Sequence, residues 1–393
     1  MGALTLSGKG RRWLGTGHPW VYADDVASGE GEPGELLPVS DPNGGAMGWG
    51  LFSSHSRIAV RMVTRSPGQP KRAFWEERMR YAVELRRRAG LLEPDLACRL
   101  VSGDAEGIPG LLVDRYGTTL VLQCTTQGAD RMRDFLVELL LEALPFEPEV
   151  LLDRSDVGVR KLEGLQPRVE TLRGSVDGPV WVREGEVEYG VDIEKGHKTG
   201  AYLDQRENRL AAGALAEGRV VLDAFSYDGL FALQAAKAGA ERVVCIEQNQ
   251  AAGERILANA RRNGVEDRIE VARANCMQDL RRRAEEGERY GLLIVDPPAF
   301  ARNRKEAQGA ERGYVELNRR AMTMVNEGGG HVVSASCSYN VHAEDFLSYL
   351  RSSSRLVERP AWLEEMRGAG IDHPHLLTLP ETRYLKCAFV RVG

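Results

Sequence analysis

The C-terminal half of the chain predicts an α/β protein built on a doubly wound, largely parallel sheet, preceded by a small β-barrel-like module and a compact mixed α/β middle domain. Three observations predict this. Short strand-like runs (Val220-Val221-Leu222, Arg242-Val243-Val244-Cys245-Ile246, Ile269-Glu270-Val271, Leu292 to Val295, His331 to Val333, Leu385 to Val392) alternate with helical stretches such as Ala251 to Asn263 and Val315 to Val325. Residues 1–70 are instead rich in Gly and Pro, with short alternating segments such as Arg57-Ile58-Ala59-Val60-Arg61-Met62-Val63. Two of the strands run straight into reactive groups, Asp296-Pro297-Pro298-Ala299-Phe300 and Ser336-Cys337-Ser338. In an open α/β sheet, ligands gather outside the carboxyl ends of parallel strands, so the two clusters can meet on one bound molecule.

At 393 residues, 42% hydrophobic and 28% charged, the chain is long enough for two or three domains with sizeable cores. The first, 1–70, ends near Ser66-Pro67-Gly68-Gln69-Pro70. The second, 71–178, opens with an arginine-rich helix from Arg72 to Ala89, bounded by Gly90. Strands follow at Gly110 to Asp114 and Thr119 to Gln123, turning at Tyr116-Gly117; Met132, Phe135, Leu136, Leu139 and Leu140 then recur at helical spacing until Pro145. Val150-Leu151-Leu152 reads as another strand. The third, 179–393, begins with a β-hairpin over Trp181 to Tyr189, then a helix after Asp204, then the alternating pattern.

Composition excludes several classes. The longest apolar runs are far too short to span a membrane, and the N-terminus lacks the apolar core of a secretion signal, so the expected location is cytoplasmic, with no membrane partner. Six cysteines without a C-x-x-C pair argue against a zinc site and a disulfide framework, and no metal is expected. A net charge of −5 makes any nucleic-acid contact a local patch. Basic clusters stand at Arg11-Arg12, Arg86-Arg87-Arg88, Arg281-Arg282-Arg283 and Arg302 to Lys305, each of which reads equally well as a solvated helix face.

The segment from Val220 to Phe231 is a strand, a tight turn and a helix start. Its turn holds one glycine and two aspartates, where a dinucleotide loop needs several glycines for backbone to approach a pyrophosphate. Anionic side chains repel phosphate but suit a cofactor with a sulfonium and an α-amino group, which points to S-adenosylmethionine at Asp223, Phe225, Ser226, Tyr227 and Gly229. Glu247, followed by Gln248, closes the next strand where a carboxylate can accept both ribose hydroxyls; alone it reads as a helix cap. Asn275 and Cys276, after the third strand, are expected to border the adenine. Lys198 to Arg209 is dense in hydrogen-bonding groups, and Lys198, Tyr202, Gln205 and Arg206 are expected to clamp the cofactor beside a helix capped at Asp204.

Pro297 and Pro298 stiffen the backbone after Asp296 and remove amide donors. D-P-P-x-F, with Phe300 to stack on a base, taken alone points to methylation of an exocyclic amine. Cys337 changes the balance. The C5 carbon of a pyrimidine is too poor a nucleophile for direct methylation, whereas thiolate addition at C6 creates an enamine whose C5 can attack a sulfonium. Asp296 suits the hydrogen-bonding role at N3. A free cysteine is more often a buried core residue, but serines flank this one at a strand end.

In these segments, Lys198-Thr199-Gly200-x-Tyr202-Leu203-Asp204-Gln205-Arg206-x-Asn208-Arg209, the turn from Asp223 to Phe231, Asp296 to Phe300 and Ser336-Cys337-Ser338, the chain resembles the bacterial 23S ribosomal RNA 5-methylcytosine methyltransferases of the large-subunit methyltransferase I type. The resemblance implies an N-terminal PUA RNA-binding domain, a small middle domain and a Rossmann-like methyltransferase domain. It implies Cys337 as nucleophile, Asp296 at N3, and Asp223, Phe225, Ser226, Glu247, Asn275 and Asp296 around the cofactor; Pro297, next to Asp296, is expected at the cofactor as well. Relatives usually carry an aspartate where this chain has Asn275. Gly8 to Trp13 and His18 to Tyr22 look like PUA starts, although a turn and a packed aromatic strand explain them equally. With 23S rRNA as partner, Pro298, Phe300, Arg11, Arg12, Arg302 and Lys305 are expected to face RNA. A homodimer is left open, as are an RNA N-methyltransferase and a catalytically silent RNA-binding protein.

Overall fold

The computed structural model describes residues 2–196, 198–300 and 307–393. In chain order the elements are β1 (Ala3–Leu6), α1 (Gly8–Gly15), β2 (Trp20–Tyr22), β3 (Val26–Glu30), β4 (Leu36–Ser40), β5 (Ala46–Phe52), β6 (Ile58–Thr64), α2 (Arg72–Arg88), β7 (Ala97–Ser102), β8 (Leu111–Tyr116) and β9 (Thr119–Cys124). There follow α3 (Gln127–Arg131), α4 (Arg133–Ala143), β10 (Val150–Ser155), β11 (Arg168–Arg173), the hairpin β12 (Val180–Glu184) and β13 (Val187–Val191), α5 (Arg206–Gly213), β14 (Val220–Ala224), α6 (Leu230–Lys237) and β15 (Arg242–Ile246). The chain closes with α7 (Gln250–Arg262), β16 (Ile269–Ala272), α8 (Cys276–Glu285), β17 (Leu292–Val295), α9 (Ala307–Thr323), β18 (Gly330–Ser336), α10 (Ala343–Val357), β19 (Ala361–Arg367) and β20 (Lys386–Val392).

These elements form two compact units. The first comprises Met1–Val182, Val191–Leu203 and Ile371–Thr382. It holds a six-stranded sheet, β2-β6-β5-β4-β1-β3, and a five-stranded sheet, β11-β10-β9-β8-β7. Leu4, Leu6, Val21, Leu37, Val39 and Val60 fill the core of the first sheet, and α2 and α4 bury Trp75, Met79, Leu136 and Leu140 with the strands of the second. The helix α1 was not anticipated, because glycines at 8 and 10 read as a turn. Ser7 caps it by accepting from the Gly10 amide at 3.0 Å, and Gly10 is required by space, since a Cβ there would lie 2.4 Å from the Asp25 carbonyl.

The second unit comprises Arg183–Gly190, Asp204–Gly370 and Arg383–Gly393. Its seven-stranded sheet runs β16-β15-β14-β17-β18-β20-β19. The first five strands in that order pair in parallel, and β20 lies antiparallel between β18 and β19. The sheet carries helices, so β17 is buried at every position, and each of its Leu, Ile and Val side chains contributes roughly 1.5–3 kcal/mol of burial. The edge strand β19 is half-exposed and has no apolar run to announce it. Strand order reverses between β14 and β17, whose successors in the chain lie on opposite sides. A crevice at the carboxyl ends of the strands is expected at such a switch point.

Candidate active site

Asp223 ends its apolar run at the tip of β14, and Asp296 follows β17; the two flank the switch point. β14 and β17 pair Ala224 with Val295. On the next strand Val295 pairs with Ser334, so Cys337 lies two residues beyond the level of Asp296 on the neighbouring strand. Between Asp223 and Gly229 the backbone is unusual: Phe225 and Tyr227 both take left-handed φ, 64° and 50°. A non-glycine residue there costs about 1–2 kcal/mol. The turn is held by the Ser226 amide donating to the Ile246 carbonyl at 3.2 Å, and by its hydroxyl donating to the Asp223 carbonyl at 2.7 Å. Gly229, φ 75°, then starts α6.

Burial and the nearby Asp296 push the Asp223 carboxyl up to about 8, against the Ala232 amide and Ser226 hydroxyl, which pull it down. Its Oδ2 is buried with no hydrogen-bond partner among the described residues. Glu247 is pinned beside the turn: its oxygens accept from the Tyr227 amide at 3.0 Å and the Asn249 amide at 2.7 Å. Three carboxylates, one with an orphaned buried oxygen, therefore gather at the strand ends. That carboxyl-rich cradle fits a cationic sulfonium with an α-amino group, a charge that would favour the ionised form of Asp223, and Glu247 retains lone pairs for ribose hydroxyls.

From α5 a short chain of amides reaches Asp296: Asn208 donates to the Gln205 side-chain oxygen at 2.6 Å, and Gln205 donates to Asp296 Oδ2 at 3.0 Å. Arg206 is mostly buried and pairs with Glu207. Pro297 is buried and Pro298 exposed. Phe300 is half-buried, its ring edge-on to Tyr314 of α9 at 4.8 Å. Tyr314 also binds both neighbours of Cys337, taking the Ser336 hydroxyl at 2.8 Å and meeting the Ser338 hydroxyl at 3.0 Å. Its own hydroxyl is pushed up by burial, with smaller contributions from the charges of Cys337 and Asp296. Cys337 is half-buried while the other five cysteines are buried.

Other expected residues take plainer positions. Asn275 caps α8, accepting from the Gln278 amide at 3.2 Å, and its amide reaches Gln248 at 3.5 Å. Cys276 is buried, donates to the Ile246 carbonyl at 3.3 Å, and burial pushes its thiol up to about 12, so its side chain belongs to the core. Lys198 and Tyr202 lie in the first unit, the ammonium 4.3 Å from the ring centroid. Arg11 is exposed and reaches Asp41 at 3.6 Å, and Arg12 is exposed on the same helix. Arg302 and Lys305 lie outside the described residues.

In two of the basic clusters one arginine is buried in the fold and the others are exposed. Arg86 is buried against Glu106 and the carbonyls of Ala82, Arg99 and Asp372. Arg283 is buried against Asp279, Glu288 and the Tyr290 hydroxyl, and Arg87, Arg88, Arg281 and Arg282 pair with acids on their own helices. These exposed pairs follow the i,i+3 and i,i+4 ladder of a helix surface.

Sequence reading overlooked Tyr314 and Lys386. Nothing in the pattern around Tyr314 marks it, but Lys386 stands inside the apolar run Leu385 to Val390, where a lysine is anomalous.

Residues 4–65 match the PUA-like domain family, and residues 168–359 match the S-adenosylmethionine-dependent methyltransferase family. The ribosomal RNA large subunit methyltransferase I of Shewanella amazonensis is 36% identical over 381 residues, and that of Erwinia tasmaniensis 35% over 385; both alignments cover 95% of this chain and 95% of the relative. The chain belongs to this methyltransferase family. Its fold agrees: a methyltransferase crystallised with SAH superposes over 100% of both chains with a TM-score of 0.87 at 18% identity. A SAM-dependent methyltransferase from Streptococcus mutans does so with a TM-score of 0.84 at 17% identity. A large-subunit methyltransferase I of this kind uses S-adenosylmethionine.

Proposed function

We propose that this chain methylates C5 of a cytosine in 23S ribosomal RNA through a covalent adduct between Cys337 and C6. The observation that carries the reading is that the one incompletely buried thiol and Asp296 follow the adjacent strands β18 and β17, with the serines on either side of the thiol both bonded to Tyr314. The Cys337 thiolate adds to C6, forming the carbon–sulfur bond, and the C5=C6 electron pair moves toward C5 and N3. Asp296, aimed by the Gln205 amide, shares a proton with N3 and keeps that charge neutralised. When bound, the cofactor would supply an electrophilic methyl group to C5 and be left as the neutral thioether S-adenosylhomocysteine. A base then removes the C5 proton, the N3 proton returns to Asp296, the C5=C6 double bond re-forms and the thiolate leaves C6.

Duplex bases cannot present C6 to a strand-end thiol, so the target is single-stranded or flipped. The PUA-like region within 1–70, with Arg11 and Arg12, and the exposed arginines hold the RNA backbone in this reading, which makes affinity salt-sensitive. The sequence also resembles the Thermus enzyme that modifies naked 23S rRNA, so protein-free RNA is the first substrate to assay. The test is labelled methyl transfer to 23S rRNA followed by mass spectrometry of the nucleosides. Expected are 5-methylcytidine from the wild type and none from Cys337→Ala, with cofactor affinity changed by less than about threefold, under 1 kcal/mol. Methyl on an exocyclic amine, or full turnover by Cys337→Ala, refutes the reading and favours N-methylation at Asp296.

A further inference from the structure

We infer that Lys386 is a positioning residue for Cys337: its ammonium braces the strand-end backbone around that thiol and supplies the positive charge that favours the thiolate. The inference rests on Cys337 being the nucleophile.

The geometry begins with register. β20 pairs with β18 so that Lys386 faces Ser336, the residue before Cys337. From there the side chain turns to the residue after it, Nζ donating to the Ser338 carbonyl at 2.7 Å and to the Tyr384 carbonyl at 2.8 Å. Both neighbours of Cys337 are thus tied, their hydroxyls to Tyr314 and the Ser338 carbonyl to Lys386. Lys386 is only 6% exposed, and a buried ammonium costs several kcal/mol unless it is matched by acceptors and a counter-charge. Two carbonyls supply acceptors but no charge. Burial drives the lysine down to about 8, while Cys337 and, beyond it, Asp345 are the charges that hold it up. Attraction between the two groups acts equally on both, so a cation that the thiolate stabilises also stabilises the thiolate.

Other titratable and charged groups surround the pair. Asp296 ends β17, Tyr314 comes from α9, and Tyr384 precedes β20. On α10, Asp345 caps the His342 amide. On β19, Arg367 and Glu365 act on Cys387, one residue along β20. Carboxylates near a thiol disfavour its thiolate, and a nearby cation offsets them.

The test is the pH dependence of iodoacetamide alkylation of the full chain, read at the Cys337 peptide; the other five thiols are buried. In the wild type the rate is expected to inflect below the free-thiol range of about 8.5. Lys386→Met should move the inflection up by about one unit and slow alkylation at pH 7 about tenfold, with methyl transfer falling in parallel, while Lys386→Arg restores most of both. An unmoved inflection in Lys386→Met overturns the inference. So does a wild-type inflection at or above the free-thiol value, which needs no variant to fold. If Cys337→Ala methylates RNA normally, the reading of the nucleophile fails instead, and the two failures are told apart.

Discussion

Replacing Asp223 with Asn should make the cofactor-free protein more stable, and more so as pH rises. The carboxyl ordinarily titrates at 3.8 but is pushed up to about 8 in the fold, by burial first and by Asp296 second. A folded value above the unfolded one means that stability is intact below about pH 4 and is lost as pH climbs through the folded value. At 1.36 kcal/mol per unit, the group opposes folding by about 2 kcal/mol at pH 5 and about 4 kcal/mol at pH 7, given its values of 3.8 and about 8. An amide does not titrate, so any constant packing difference cancels between the two conditions. The variant's advantage should therefore grow by about 2–3 kcal/mol from pH 5 to pH 7. Urea denaturation without cofactor, followed by hydrogen exchange in β14 and β17 peptides, measures this. An advantage that is flat with pH, or a loss of stability that grows with pH, refutes the claim that Asp223 is held neutral by burial. The same variant should bind S-adenosylmethionine about 10–100-fold more weakly, because a charge-assisted partner is worth about 1.5–3 kcal/mol.

Three further outcomes follow from the same unit. Glu247→Gln keeps one acceptor for the Tyr227 and Asn249 amides but loses the charge; calorimetry should show cofactor affinity down about tenfold or more. Glu184→Gln strands the buried Arg209, whose guanidinium pairs with that carboxylate; urea denaturation should show a loss of about 3–5 kcal/mol. Gly229→Ala adds a Cβ 3.0 Å from Ile256 at φ 75°; a loss of about 1–2 kcal/mol, together with weakened cofactor binding, is expected, whereas an unchanged Tm would show the turn to be pliable.

The parallel strands were legible in the sequence because a strand covered on both faces must be apolar throughout, as Leu292 to Val295 is, and a run of that kind stands out from alternating helices. The motif turns were legible for a related reason. Side chains such as Asp223 and Asp296 interrupt an apolar pattern at a fixed end of a strand, and no core demands them there. The edge strand β19 escaped because a half-exposed strand has no such run, and α1 escaped because its two glycines carry the turn signature while tertiary space, at Asp25, decides the matter.

What the sequence determined alone was therefore the order of elements, the family and the chemical character of the strand ends: acids without phosphate-binding glycines, and a thiol between serines. Tertiary structure decided which groups share a neighbourhood. Register set Lys386 across from Ser336, a helix brought Tyr314 to both serines, and buried ion pairs made Arg86 of α2 and Arg283 of α8 parts of the fold. The division has one physical cause. Periodicity and turn chemistry are local properties of the chain, whereas proximity between residues tens of positions apart arises only when packing closes the loops between them.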